Sequence, residues 1–144
     1  MLGRIANTYV LTDSPASTLS LGVGRGFSAR APQLAAYSTA WLGNASFALD
    51  LGKLTPLAPV ALLLAIGPAA LDLGGGCIVR VNPTAILASL ALTANGQGFA
   101  THALPVPTLH TLRGLAMHAQ AATLDLAAPF DIGLSRGLEV RLGD

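Results

Sequence analysis

The stretch "RGLAMHAQAATLD", residues 113–125, decides the fold of this chain. Its Ala, Leu, Met and Gln residues favour a helix by intrinsic propensity. In an extended strand, however, every second residue from Leu115 to Ala121 would lie on one face, and this apolar set alternates with a second set that contains His and Gln. As a helix the segment would form no continuous apolar stripe. We therefore predict a strand, with Leu115 and Met117 facing the core.

The surrounding sequence supports the same interpretation. Apolar and polar residues alternate in "ASFALDL" (45–51), "CIVRV" (77–81) and "LEVRLG" (138–143), and the apolar run 60–67 has the length of a buried strand. Turn signals such as "GGG", "VNP" and "ANGQG" separate these segments at short intervals. The regular spacing of these turn signals predicts an all-β fold, an antiparallel β-sandwich of jelly-roll-like type.

One segment leaves two alternatives open. In "PTAILASLALTANG" (83–96), Pro83 suits the first position of a helix and Asn82 suits its cap. The same residues also fit an extended run that ends in a turn at Asn95 and Gly96.

Composition excludes several classes of protein. The 144 residues fit one domain, and a net charge of +1 gives no strong field for nucleic acid. Only 10% of the residues are charged and 52% are hydrophobic, which is compatible with a membrane protein, with a sandwich that has a large interior, or with a subunit whose surface is buried by copies of itself. The most apolar run, 56–74, is interrupted by prolines and is too short for a spanning helix, so we expect no membrane span. The only cysteine, Cys77, excludes an internal disulfide.

The sequence divides into two parts that differ in residue composition. Residues 1–36 form an N-terminal extension with strand character in "TYVLT" (8–12) and "STLSLGVG" (17–24), and residues 37–144 form the predicted sandwich. A strand from the extension could cover an edge of its own domain or an edge of the next subunit. The second arrangement would link copies into a filament.

From residue 37 onward, a series of motifs occurs in a characteristic order: "LGN" (42–44), "GGGCIVRVNPT" (74–84), "TANGQG" (93–98) and a closing "FDIGLSRGLEVRLGD" (130–144). In this order they resemble a C-terminal β-sandwich module of secreted and surface proteins of Planctomycetes and related bacteria. The matching residues are Gly43, Asn44, Gly67, Gly76, Cys77, Pro83, Gly96, Pro105, Pro107, Gly114, Gln120, Asp125, Ser135, Gly137 and Gly143. The resemblance implies a jelly-roll-like sandwich and an extracellular or cell-surface location, but no catalytic residue. Members often pair the Gly-Cys cysteine with an earlier one, which this chain lacks.

Two sequence patterns resemble catalytic or metal-binding motifs but lack residues that such sites need. "GLSRG" (133–137) fits the G-x-S-x-G pattern, but a nucleophile elbow needs a His downstream of Ser135 and none follows. We interpret its two glycines as belonging to a hairpin or a bulge near the last strand. His102, His110 and His118 are spaced eight apart, and no acidic residue near the first two would organise a zinc site. We predict polar surface or inter-strand histidines, no cofactor and no enzyme.

The remaining polar and aromatic residues give weaker indications. "GVGRGF" (22–27) lacks the spacing of a phosphate-binding loop and indicates a turn. Asn44 begins an N-x-S sequon, which we place in a turn before a strand, and we expect Trp41 to pack into the core. No calcium-loop pattern connects the four aspartates that could supply oxygen ligands, which are Asp50, Asp72, Asp125 and Asp131.

Two functions from different classes follow. The first is a structural subunit that associates with copies of itself, as a homo-oligomer or homopolymer, in an extracellular or cell-surface assembly. The alternative is a non-catalytic binding module, for carbohydrate, that belongs to a larger secreted protein. Sandwiches that bind sugars expose aromatic side chains, so the exposure of Tyr37 and Trp41 bears on this alternative.

Overall fold

The computed structural model describes residues 15–21, 32–73, 78–124 and 132–144. These residues form β-strands and one short 3-10 turn, His110–Leu112, and contain no α-helix. The strands are β1 (Ser17–Leu21), β2 (Gln33–Ala36), β3 (Ala48–Gly52), β4 (Pro59–Ile66), β5 (Pro68–Asp72), β6 (Ile78–Val81), β7 (Ile86–Thr93), β8 (Ala100–Ala103), β9 (Ala116–Leu124), β10 (Ile132–Leu134) and β11 (Gly137–Arg141).

The strands form an antiparallel β-sandwich, as predicted. A six-stranded sheet has the order β1-β11-β9-β4-β7, and β10 pairs with the far end of β9. A three-stranded sheet has the order β2-β3-β8, and β5 and β6 form a separate two-stranded hairpin. The jelly-roll-like connectivity stays a prediction.

The segment 113–125 supplies the central strand of the larger sheet. β9 spans Ala116–Leu124, so the prediction of an extended segment is confirmed there against its helical propensity, whereas Arg113 and Gly114, at the start of the stretch, form a turn. Leu115 and Met117 pack against the core, and Ala119 and Ala121 are fully buried within it. Neighbouring strands on both sides of β9 override the local preference for helix, because they satisfy its backbone groups and bury its apolar face.

The core lies between the two sheets. The inward-facing residues of β3 and β11, taken from the alternating stretches, are buried together with those of β2 and β4. The largest fully buried side chains of this core are Phe47, Leu49, Leu51, Leu54, Leu62 and Val140. Period-two alternation therefore identified the correct inner face in both sheets.

The run between the prolines forms β4, which begins at Pro59 and ends before Gly67. Gly67 has a positive φ of 92°, a conformation that glycine adopts without steric cost, and it turns the chain into β5. The segment with two open alternatives is extended: β7 spans Ile86–Thr93 and is followed by a turn at Asn95 and Gly96.

The hairpin of β5 and β6 forms a third layer. It packs on the face of the six-stranded sheet that points away from the core, with β6 lying over β4, β9 and β11. Gly137 makes the close approach possible, because a Cβ there would lie 2.7 Å from the Cβ of Arg80. The six-stranded sheet is therefore covered on both faces along part of its width.

The prediction that Trp41 packs into the core is wrong. Its side chain is 46% exposed, and its backbone forms an isolated parallel bridge with Gly143 instead of a strand. The neighbouring Phe47 and Leu142 fill the core at this end, which leaves the larger indole outside.

Several expectations concern residues outside the described ranges. These are the strand at 8–12, the "GVGRGF" turn at 22–27, Cys77, Asp125 and Asp131. The described parts of the extension, β1 and β2, pair with β11 and β3 of the same chain. The boundary between residues 36 and 37 stays a prediction.

Candidate functional site

Strand β7 lies at one edge of the six-stranded sheet and pairs with β4 along a single side. Its sequence, "ILASLALT", contains no charged residue and no proline. A register shift opposite Leu64 and Ala65 makes its first two residues irregular, and from Ala88 to Thr93 the pairing is regular. No strand among the described residues covers its other side, which we call the β7 edge. An uncharged regular edge is able to pair with a further strand.

The side chains of β7 also leave apolar surface open. Ala88, Leu90 and Leu92 point toward the core but are only partly buried, because they lie at the margin of the sandwich. Ser89 and Ala91 point to the opposite face and are exposed. The edge therefore combines a hydrogen-bonding backbone with apolar side chains that a neighbouring strand would bury.

An apolar groove continues from the β7 edge across the outer face of the sheet. It has a volume of about 390 Å³ and reaches from Ala91 over Ala61 to Leu124 and Ile132. Leu124 and Ile132 are exposed. The groove contains no charged side chain among its lining residues, so this part of the surface favours burial against another apolar surface.

A polar network on the same sheet is structural. Gln120 is 1% exposed and lies on the outer face of β9, beneath β6. Its amide nitrogen donates to the carbonyls of Ile78 (3.0 Å) and Ser135 (2.8 Å), and its oxygen accepts from the N–H of Arg80 (2.8 Å). One side chain thus joins the hairpin to the sheet and leaves none of its buried groups without a partner.

Ser135 occupies the connection between β10 and β11 and is fully buried. Its hydroxyl accepts from the N–H of Ala121 (2.9 Å) and donates to the carbonyl of Arg136 (2.8 Å). The bond from Ala121, together with the bond from the Ser135 N–H to the carbonyl of Ala121 (2.9 Å), continues the pairing of β9 between β10 and β11. Both β10 and β11 pair with β9, and three residues of "GLSRG" oppose two residues of β9, so of the two expected forms this segment is a bulge and not a hairpin. The Ser135 hydroxyl bonds backbone groups.

The three histidines do not converge. His102 lies on β8, His110 lies in the 3-10 turn, and His118 is buried on the outer face of β9. His118 Nε2 lies 3.4 Å from Glu139 Oε2 on the neighbouring strand β11, and Arg141 Nη2 of the same strand lies 3.5 Å from that oxygen. Within the described ranges, no group of three or more His, Cys, Asp or Glu side chains is placed to hold a metal.

Asn44 lies in the turn before β3, as predicted, and its side chain is enclosed. The amide nitrogen donates to Ser38 Oγ (3.0 Å) and to the carbonyl of Thr39 (2.6 Å), and the oxygen accepts from the N–H of Ser46 (2.9 Å). The nitrogen that a glycan would modify is therefore engaged in the fold of this turn.

No protein-family model matches the chain, and comparisons with curated proteins and with solved structures find no match. In the described part of the chain, no helix is long and apolar enough to cross a membrane. Sequence reasoning missed both the β7 edge and the role of Gln120. The absence of Lys and Pro from "ILASLALT" was the available signal for the edge.

Proposed function

We propose that this protein is a structural β-sandwich subunit that associates with copies of itself in an extracellular or cell-surface assembly. The observation that carries the proposal is the β7 edge, an uncharged strand margin with partly exposed core leucines. Native edge strands are usually blunted by Lys, Pro or inward-pointing charges. The regularly paired part of β7, from Ala88 to Thr93, contains no Lys, no Pro and no inward-pointing charge. The proposed role includes no catalytic step.

The direction of the strands specifies how two copies meet. Antiparallel pairing of one β7 with the β7 of a second copy requires a two-fold axis perpendicular to the sheet. This axis keeps the cores of both sandwiches on the same side of the joined sheet. Leu90 and Leu92 of one copy then face the corresponding leucines of the other, and both pairs become buried. The unit of association in this proposal is a symmetric dimer.

Two further observations support the proposal. The chain carries only 10% charged residues, and burial of an edge and of the adjoining apolar groove reduces the surface that must be solvated. The resemblance to surface modules is the support for an extracellular or cell-surface location.

The test is the double variant Ser89→Lys/Ala91→Lys. Both side chains are exposed on the outer face of β7, so the fold should be retained. Four added lysines would meet across the two-fold axis, where like charges repel. We expect analytical ultracentrifugation over a dilution series to show association of the wild type. The variant should associate at least about tenfold more weakly, which corresponds to about 1.4 kcal/mol.

The matched control is Leu19→Lys on the opposite edge, where this side chain is exposed on β1. The symmetric dimer should form normally in this variant. A wild-type chain that stays monomeric at the highest soluble concentration contradicts the proposal. If Leu19→Lys disrupts association and the β7 variant associates normally, the contact between copies lies at β1 and the proposal for β7 is wrong.

A further inference from the structure

The outer face of the three-stranded sheet carries an open groove with two aromatic side chains. The groove has a volume of about 630 Å³, within the range of small-molecule sites, and its lining includes Tyr37, Phe99, Gln33, Asp50 and Thr101. Tyr37 is 67% exposed and Phe99 is 53% exposed. We call it the Tyr37–Phe99 groove. It lies on the other sheet from the β7 edge.

The register of the sheet explains the shape of the groove. Gln33 pairs with Gly52, and Ala35 pairs with Asp50, which pairs in turn with Thr101. The floor therefore consists of small residues and polar groups, and the aromatic rings stand at its two ends. Tyr37 follows Gln33 by four positions, directly after the end of β2, so the face is about 13 Å long. This length suits a chain of several sugar rings better than a single one.

The aromatic ring at one end is held in place by the backbone. Asn95 Oδ1 accepts from the N–H of Phe99 (3.0 Å), and the N–H of Asn95 donates to the carbonyl of Phe99 (2.8 Å). The ring lies against Gly52, where a Cβ would be 3.3 Å from it. Phe99 is thus fixed at an exposed position before any ligand arrives, which lowers the entropy cost of binding.

The polar groups in the groove suit hydroxyl groups of a neutral ligand. Thr101 Oγ1 donates to Asp50 Oδ1 (2.8 Å), and this bond orients the carboxylate while its second oxygen remains a hydrogen-bond acceptor. The Gln33 amide adds donors and an acceptor. No Lys or Arg belongs to the lining, so nothing in it attracts an anionic ligand, and one carboxylate disfavours it.

We propose that the Tyr37–Phe99 groove binds a neutral oligosaccharide. The aromatic rings contact the apolar faces of two sugar rings, and Asp50 and Gln33 hydrogen-bond the hydroxyl groups between them. This site is independent of the proposed association through β7, since the two surfaces belong to different sheets. The subunit then presents sugar-binding faces on an assembled scaffold.

The experiment is a titration of the full chain followed by backbone amide NMR. The probes are three neutral oligosaccharides, cellohexaose, chitohexaose and maltohexaose, together with an anionic one, oligogalacturonate. We expect at least one neutral probe to shift the amides of Asp50 and Thr101. Tyr37→Ala and Phe99→Ala should each weaken that binding by at least about tenfold, since both side chains would contact the sugar directly.

The matched control is Trp41→Ala, which removes an exposed aromatic side chain outside the groove and should leave binding unchanged. The proposal is overturned if no neutral probe shifts the groove amides at its solubility limit, or if oligogalacturonate binds best. It is equally overturned if Trp41→Ala weakens binding as much as Tyr37→Ala does. The variant Ser89→Lys/Ala91→Lys should bind the sugar as the wild type does, and this separates a failure of the groove from a failure of association.

Discussion

Part of the outer face of the six-stranded sheet lies under the β5–β6 hairpin, whereas the outer face of the three-stranded sheet carries no further layer of described residues. The covered face holds Gln120, which is buried and has three hydrogen bonds, next to a glycine that admits the hairpin. The open face holds Tyr37 and Phe99, which are exposed. Polar residues therefore stabilise the fold on one sheet and are available to a ligand on the other.

The largest effect expected from this difference is at Gln120. Gln120→Ala would remove three hydrogen bonds and leave the N–H of Arg80 and the carbonyls of Ile78 and Ser135 without this partner. We expect the free energy of unfolding to fall by about 3 kcal/mol, measured by urea denaturation. Amide exchange should accelerate first in β6, because the hairpin loses its attachment.

Gln33→Ala is the control for this experiment, since Gln33 is an exposed glutamine on the open face. Its effect should stay within about 0.5 kcal/mol. A loss below about 1 kcal/mol for Gln120→Ala would mean that the hairpin is held mainly by other contacts.

A smaller effect is expected where the hairpin approaches Gly137. In Gly137→Ala the new methyl group would meet the Cβ of Arg80 at 2.7 Å and the Cβ of Leu21 at 3.3 Å, so backbone must shift. We expect destabilisation by about 2 kcal/mol in thermal or urea unfolding. Gly96→Ala is the matched control, because a Cβ there has no neighbour within 4 Å. If the two variants had the same free energy of unfolding, the β5–β6 hairpin would be able to move away from residue 137 without destabilising the fold.

The smallest effect on stability belongs to the open face. Tyr37→Ala should change the free energy of unfolding by no more than about 0.5 kcal/mol, because the side chain is mostly exposed. Urea denaturation of the same variant used for sugar titration checks this. A loss comparable to that of Gln120→Ala would show that Tyr37 supports the sheet, and the contrast between the two faces would disappear.

The inner faces of the sheets were predictable from the sequence because alternation is a local signal. "ASFALDL" and "LEVRLG" contain their pattern within a few residues, and β9 shows the same pattern despite its helical propensity. The placement of Trp41 was wrong, since size alone does not decide which aromatic side chain fills the core. Phe47, only six residues further along, occupies that space.

The Tyr37–Phe99 groove and the third layer could not be predicted from local sequence patterns. Tyr37, Asp50 and Phe99 meet only through the register of three strands, and nothing local specifies that register. Likewise, the burial of Gln120 depends on a hairpin that folds back over the sheet from a distant part of the chain. The polar members of "ALDLG" and the Asn-Gly turn before Phe99 were the nearest local signals.

The main path of the larger sheet contains five strands, each antiparallel to the next, so β1 and β7 run in the same direction. Copies related by simple translation would bring β7 beside a parallel β1, whereas two-fold axes join like edges in antiparallel pairs. A fibre built from β7 dimers that also paired through β1 would alternate the two contacts and would have no polarity. Its two ends would be chemically alike and would add subunits at equal rates.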